Sequence, residues 1–108
     1  MLMHIKMINW ILDVAKGNVE EAEKYVKLAH RMKHESRAAA DWCIEMAKRH
    51  LDFDERGDMM IDQMCRELGE AAENSELLTA MKTHVHERRA WLAEETAEVR
   101  TMIEMYGK

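Results

Sequence analysis

The chain has 108 residues, enough for one domain with a modest core and too few for two. It has no proline, four glycines and eleven methionines and is rich in Ala, Glu, Lys and Leu, a composition that makes an all-α fold the default. A formal charge of −5 with a pI near 5.7 argues against nucleic-acid or membrane-surface binding, which needs a net basic face.

The first helix is expected from Leu2 to about His34, because apolar residues recur every three or four positions along it. Ile5, Ile8, Leu12, Ala15, Val19, Ala22, Val26 and Ala29 make the main stripe. A second stripe of Met7, Ile11, Val14, Tyr25, Leu28 and Met32 widens the buried face beyond a two-stranded seam and demands more than one packing partner. Gly17-Asn18 can be read as a turn that splits the helix, but the main stripe passes through it in phase, and a lone Gly costs only ~1 kcal/mol.

The chain should turn at Glu35-Ser36-Arg37, with Ser36 capping the next helix. Arg31 and Lys33 then complement the end of the first helix dipole. The second helix is expected from Arg37 to Leu68, closed by Gly69, with an inward line of Ala39, Cys43, Met46, His50, Phe53, Gly57, Met60 and Met64, flanked by Ala40, Ala47, Asp54, Ile61 and Leu68. After an acidic connection from Glu70 to Ser75, capped by Asn74 or Ser75, the third helix runs from Glu76 to about Tyr106. Its inward line is Leu78, Met81, Val85, Arg88, Leu92, Glu95, Val99, Met102 and Tyr106. Three periodic segments joined by two short turns predict a single domain, 1-108, built as an up-down-up antiparallel bundle of three long helices. Cys43 and Cys65, 22 residues apart on the second helix and so roughly 33 Å apart at helical rise, cannot bond to each other and read as small packing residues.

An antiparallel arrangement makes residue levels computable. With one turn centred between Glu35 and Ser36 and the other between Ala72 and Glu73, Glu21 and Glu95 both face the level of His50. Asp54 lies one turn from His50 on the same face, and Arg88 falls level with Gly57, whose missing side chain would leave room for a guanidinium. Two readings follow. Glu21, His50 and Glu95, with Asp54, suit a divalent metal such as iron, manganese or zinc. Alternatively, Arg88 pairs with Glu95 or Asp54, and His50 with Glu21, as a polar cluster that fixes helix register.

The stretches Glu23-Lys24-Tyr25-Val26-Lys27-Leu28-Ala29, Met46-Ala47-Lys48-Arg49-His50-Leu51 and Met105-Tyr106 resemble the ferritin-like superfamily, and within it the small ferritin-like proteins of gut bacteria and their phages, a group with no activity to carry over. The resemblance implies a helical bundle that holds metal with a Glu from one helix and a Glu-x-x-His motif from the next. The chain departs from that pattern: it contains no Glu-x-x-His, and His50 and Phe53 stand where the motif would fall. Oxidase or iron-storage activity is therefore not implied. A three-helix chain also supplies one helix fewer than a ferritin-like bundle, which leaves room for a dimer to complete it.

Other motifs are weaker. Asp52 to Asp58 opens like a calcium loop, but Arg56 takes the fifth ligand place and Gln63 the twelfth. His30 and His34 share a helix face without a third ligand, and His84 and His86 sit on different sides of theirs. Catalytic triads, Gly-rich phosphate loops and Cys-x-x-Cys are absent, so an enzyme is not the expectation. Trp10, Trp42, Ile44, Leu51, Met59 and Trp91 lie outside the main stripes and exceed what a three-helix monomer readily hides, which points to a homodimer. The opening Met1-Leu2-Met3-His4-Ile5-Lys6 lacks a signal peptide's apolar core, and no apolar run reaches bilayer length, so a cytoplasmic protein is expected. The reading as a whole is a non-enzymatic interaction or structural protein, with a metal-binding protein as the alternative.

Overall fold

The computed structural model describes residues 2–73 and 76–107, the side chains of 70–73 excepted. Three helices account for nearly all of them: α1 (Leu2–Met32), α2 (Arg37–Glu73) and α3 (Glu76–Tyr106). Gly17 lies inside α1 without interrupting it, so the in-phase apolar stripe outweighs the weak helix propensity at that position. The turn after α1 is tight. The amides of Glu35 and Ser36 both donate to the carbonyl of Met32, and the Ala39 amide donates to Ser36 Oγ at 3.2 Å, the expected N-cap.

At the far end of α2, Gly69 adopts φ +43°, ψ −132°, a positive-φ conformation that favours Gly. The helix kinks there before a last turn to Glu73, so Gly69 interrupts α2 where closure was expected. The caps expected of Asn74 and Ser75 fall outside the described residues. α2 and α3 both pack on α1 and touch each other much less, which gives a rod 58 × 19 × 15 Å with α1 as its spine.

The core forms two lobes. One is built from Val19, Ala22, Val26 and Ala29 of α1 with Ala40, Cys43, Ala47 and Leu51 of α2, closed by Val99 and Tyr106 of α3. The other gathers Ile8, Ile11 and Leu12 with Ile61, Met64 and Leu68, beneath Leu78 and Val85. The main stripe of α1 is buried as expected except for the partly exposed Ile5, and α3 buries Leu78, Val85, Val99 and Tyr106 from its expected line.

The α2 line differs from expectation. Phe53 and Met60 are 57% and 48% exposed, whereas the flanking Ala40, Ala47, Ile61 and Leu68 are buried together with Ile44 and Leu51. α2 is rotated by about one residue position, because it buries the line that faces α1 together with the line that faces α3. Ile44 and Leu51, expected outside the core, are inside it. Both cysteines are free, Cys43 buried and Cys65 partly so.

The three chain segments near the first turn are tied together by Tyr106. Its hydroxyl donates to Asp41 Oδ1 at 2.7 Å, Arg37 lies over its ring at 5.1 Å and His30 meets it edge-on at 5.6 Å. Burial and the acceptor Asp41 raise its pKa. Among the described residues, no helix is long and apolar enough to cross a membrane.

Candidate functional site

Between the two lobes lies a polar waist. Asn18 of α1 reaches α2 and bridges two side chains one turn apart: its Nδ2 donates to Asp54 Oδ1 at 2.9 Å, and its Oδ1 lies 2.6 Å from His50 Nδ1. With the amide so oriented, His50 Nδ1 carries the proton and donates. Tyr25 stacks on the His50 ring at 5.7 Å and meets Trp42 edge-on at 5.8 Å. These rings fix the imidazole on one side while Asn18 holds it on the other.

Asp54 is the unusual member. Its second oxygen, Oδ2, is buried and has no hydrogen-bond partner. Desolvation pushes its pKa up to about 6, and the Asn18 hydrogen bond offsets part of that rise. A carboxyl that titrates near neutrality is a common feature of functional sites. A carboxamide does not relay protons, so Asn18 orients Asp54 and His50 without connecting them chemically.

The expected partners fall elsewhere. Glu21 is exposed and pairs with Lys24 at 3.2 Å, so Asn18, one turn earlier, occupies the place opposite His50. The difference follows from the tight turn, which ends α1 at Met32 and draws the pairing level back by about one turn. Glu95 is partly buried on α3; its pKa is raised by burial first and then by Glu98, Glu23 and Glu94. Arg88 pairs with Asp13 of α1 at 2.7 Å and does not approach Gly57. The space at Gly57 is taken by Ile11, whose Cγ2 would lie 3.0 Å from an added Cβ. Among the described residues, Glu21, His50, Glu95 and Asp54 are not brought together, and no group of three or more His, Cys, Asp or Glu side chains is placed to hold a metal ion.

Asp54 also lines a cleft of about 780 Å³ where α2 and α3 diverge, a volume within the usual range for small-molecule sites. Ile11, Ala15, Leu51, Ile61 and Leu92 supply its apolar surface, and Ala90, Ala93, Thr96 and Ala97 make a wall of small side chains on α3. Two arginines of α3 bridge to α2 across it. Arg89 holds Asp58 at 2.7 Å and Asp62 at 2.8 Å, and Arg100 holds Glu55 at 2.7 Å. The Arg89 guanidinium is held firmly charged by its bond to Asp58, against the opposing effect of its own partial burial; the same arginine lowers the pKa of Asp62.

Sequence reasoning missed Asn18, which reads as a helix breaker beside Gly17, and missed the cleft. The signal for the cleft lay in Ala90, Ala93 and Ala97, spaced to share one helix face while offering too little volume to fill a gap between diverging helices. No family model, curated protein or solved structure matches the chain.

Proposed function

We propose that the protein is a non-enzymatic interaction module, an up-down-up antiparallel bundle on a degenerate ferritin-like layout, that pairs with a second copy of itself. The reading rests on one observation: a long apolar face on the side of α1 and α2 away from α3. On α2, Trp42, Phe53 and Met60 are about half exposed and fall on one line with Met46. On α1, Met3, Met7, Trp10 and Leu28 are exposed on a line with Val14, Tyr25 and Met32. α3 meets α1 through Asp13 and His30 and meets α2 through Glu55, Asp58 and Asp62, so these apolar lines lie on the opposite side.

Three aromatic and four methionine or leucine side chains about half exposed offer on the order of 800 Å², the share each partner contributes to an interface of ordinary size. At the middle of the face stand Glu21 and Arg49, both exposed. Their opposite signs suit a self-complementary pairing better than a strongly charged partner. The antiparallel layout is supported by contacts that pair early α1 with late α2, Ile11 with Gly57, and late α1 with early α2, Tyr25 with Trp42.

Sedimentation equilibrium at micromolar concentration is expected to give twice the chain mass of 12.7 kDa. The double substitution Phe53→Glu, Met60→Glu should return the protein to a single-chain mass with its helical circular dichroism intact. A native protein that sediments only as a single chain removes the reading.

A further inference from the structure

The face assigned to self-pairing leaves the α2–α3 cleft on the other side of the molecule free, and the two stand or fall separately. We propose that this cleft binds a compact apolar organic cation, an alkyl or aryl-alkyl primary amine, whose ammonium group pairs with the carboxylate of Asp54.

Four observations specify the ligand. First, the size of the cleft, about 780 Å³, and its aliphatic surface from Ile11, Leu51, Ile61 and Leu92 require an apolar body. Second, its charges are unevenly satisfied. Arg89 and Arg100 are already committed to Asp58, Asp62 and Glu55, while the Asp54 carboxylate, which lines the cleft, has an amide partner on one oxygen, none on its enclosed second oxygen, and no cation beside it among the described residues. An anion would have to displace a carboxylate from an arginine; a cation finds a carboxylate without a counter-charge. Third, no three ligating side chains converge among the described residues, so an organic cation that brings its own apolar surface fits better than a metal ion.

Fourth, the arginine bridges restrict shape. They leave α3 roughly 16 Å apart at helical rise and converge on α2 between Glu55 and Asp62. A continuous peptide helix about 10 Å wide cannot lie lengthwise beneath two such rungs, whereas a small molecule can sit between them, against Ala93 and Ala97. Bound there, an ammonium would keep Asp54 ionised and remove the cost of its burial.

Titration calorimetry of the full chain at about pH 7.5, where an amine is charged and Asp54 mostly ionised, tests this with three size-matched probes: 4-phenylbutylamine, 4-phenylbutan-1-ol and 4-phenylbutanoate. The amine should bind at least about ten-fold more tightly than the alcohol, with the carboxylate weakest. Asp54→Asn should bring amine and alcohol within roughly three-fold of each other. Ala93→Met, which fills the cleft from α3 and leaves Asp54 in place, should weaken both. No saturable amine binding, equal affinity for amine and alcohol in the native chain, a preference that survives Asp54→Asn in folded protein, or undiminished binding by Ala93→Met would each overturn the assignment.

Discussion

Asp54 makes stability depend on pH in an unusual direction. Its folded-state pKa is raised by burial from 3.8 to about 6, so between those values the folded chain holds a proton that the unfolded chain has released. Stability therefore falls as pH rises through this window, and the loss is complete above the folded pKa. Asp54→Asn keeps an acceptor for Asn18 and removes the buried charge. In urea denaturation it should exceed the native protein by about 1–2 kcal/mol near pH 7.5, after discounting solvent screening, and the gain should vanish below about pH 4. A constant difference at both pH values would contradict the assigned cause. His50 and Asn18 make a second prediction. Replacing either by Leu leaves the other's ring nitrogen or carbonyl unpaired and should cost about 1–2 kcal/mol, while the double substitution should cost clearly less than the sum. Strict additivity in denaturation midpoints would mean that the 2.6 Å contact contributes nothing. Sequence placed His50 and Asp54 in a polar layer correctly but chose Glu21 over Asn18. A carboxylate is the more obvious partner for an imidazole, and the register that excludes Glu21 is set by two backbone hydrogen bonds to Met32 that leave no mark in side-chain periodicity.

The helices themselves were legible because hydrophobic periodicity dominates their formation, and the three described elements start and stop close to where the Ser36 cap and the apolar lines place them, except that α2 continues past Gly69 to Glu73. The rotation of α2 was not. A helix that serves two neighbours buries two adjacent lines, and period alone does not say which border residue is inside, so Phe53 and Leu51 exchanged roles. The glycines separate local propensity from packing. Nothing lies within 4 Å of a Cβ added at Gly17, so Gly17→Ala should stabilise α1 by about 1 kcal/mol from propensity alone. Gly69→Ala forces a side chain into φ +43°, ψ −132° and should destabilise by about 1–3 kcal/mol. Thermal denaturation moving in the same direction for both variants would show that one of these environments is misread.

On the scale of the whole rod, the waist divides the hydrophobic core. Among the described residues, the lobe around Ala22, Ala47 and Tyr106 has eleven buried residues and the lobe around Leu12, Ile61 and Leu78 has eight, and the first is clamped by the Tyr106 to Asp41 bond. Hydrogen exchange should therefore report lower protection for amides near Leu12, Ile61 and Val85 than for those near Ala22, Ala47 and Val99. Uniform protection would indicate that the two lobes open as one unit. This division was not legible in the sequence, because each apolar line continues past the waist; it emerges only when Asn18, His50, Asp54 and the cleft meet at one level.

The tight link between Met32 and Arg37 also bears on the order in which the chain folds. Contacts that flank it, such as Tyr25 with Trp42 at 5.8 Å, close a short segment, whereas Arg89 with Asp58 and Arg88 with Asp13 close progressively longer ones. Loop-closure entropy favours the short closure first. The nucleus should then hold Ala22, Val26, Ala40 and Ala47, so substitutions there slow folding, while truncations at Leu78 or Val85 mainly speed unfolding. Stopped-flow measurements that follow tryptophan emission would distinguish the two groups, and the fastest event seen should be the ordering of Trp42 against Tyr25.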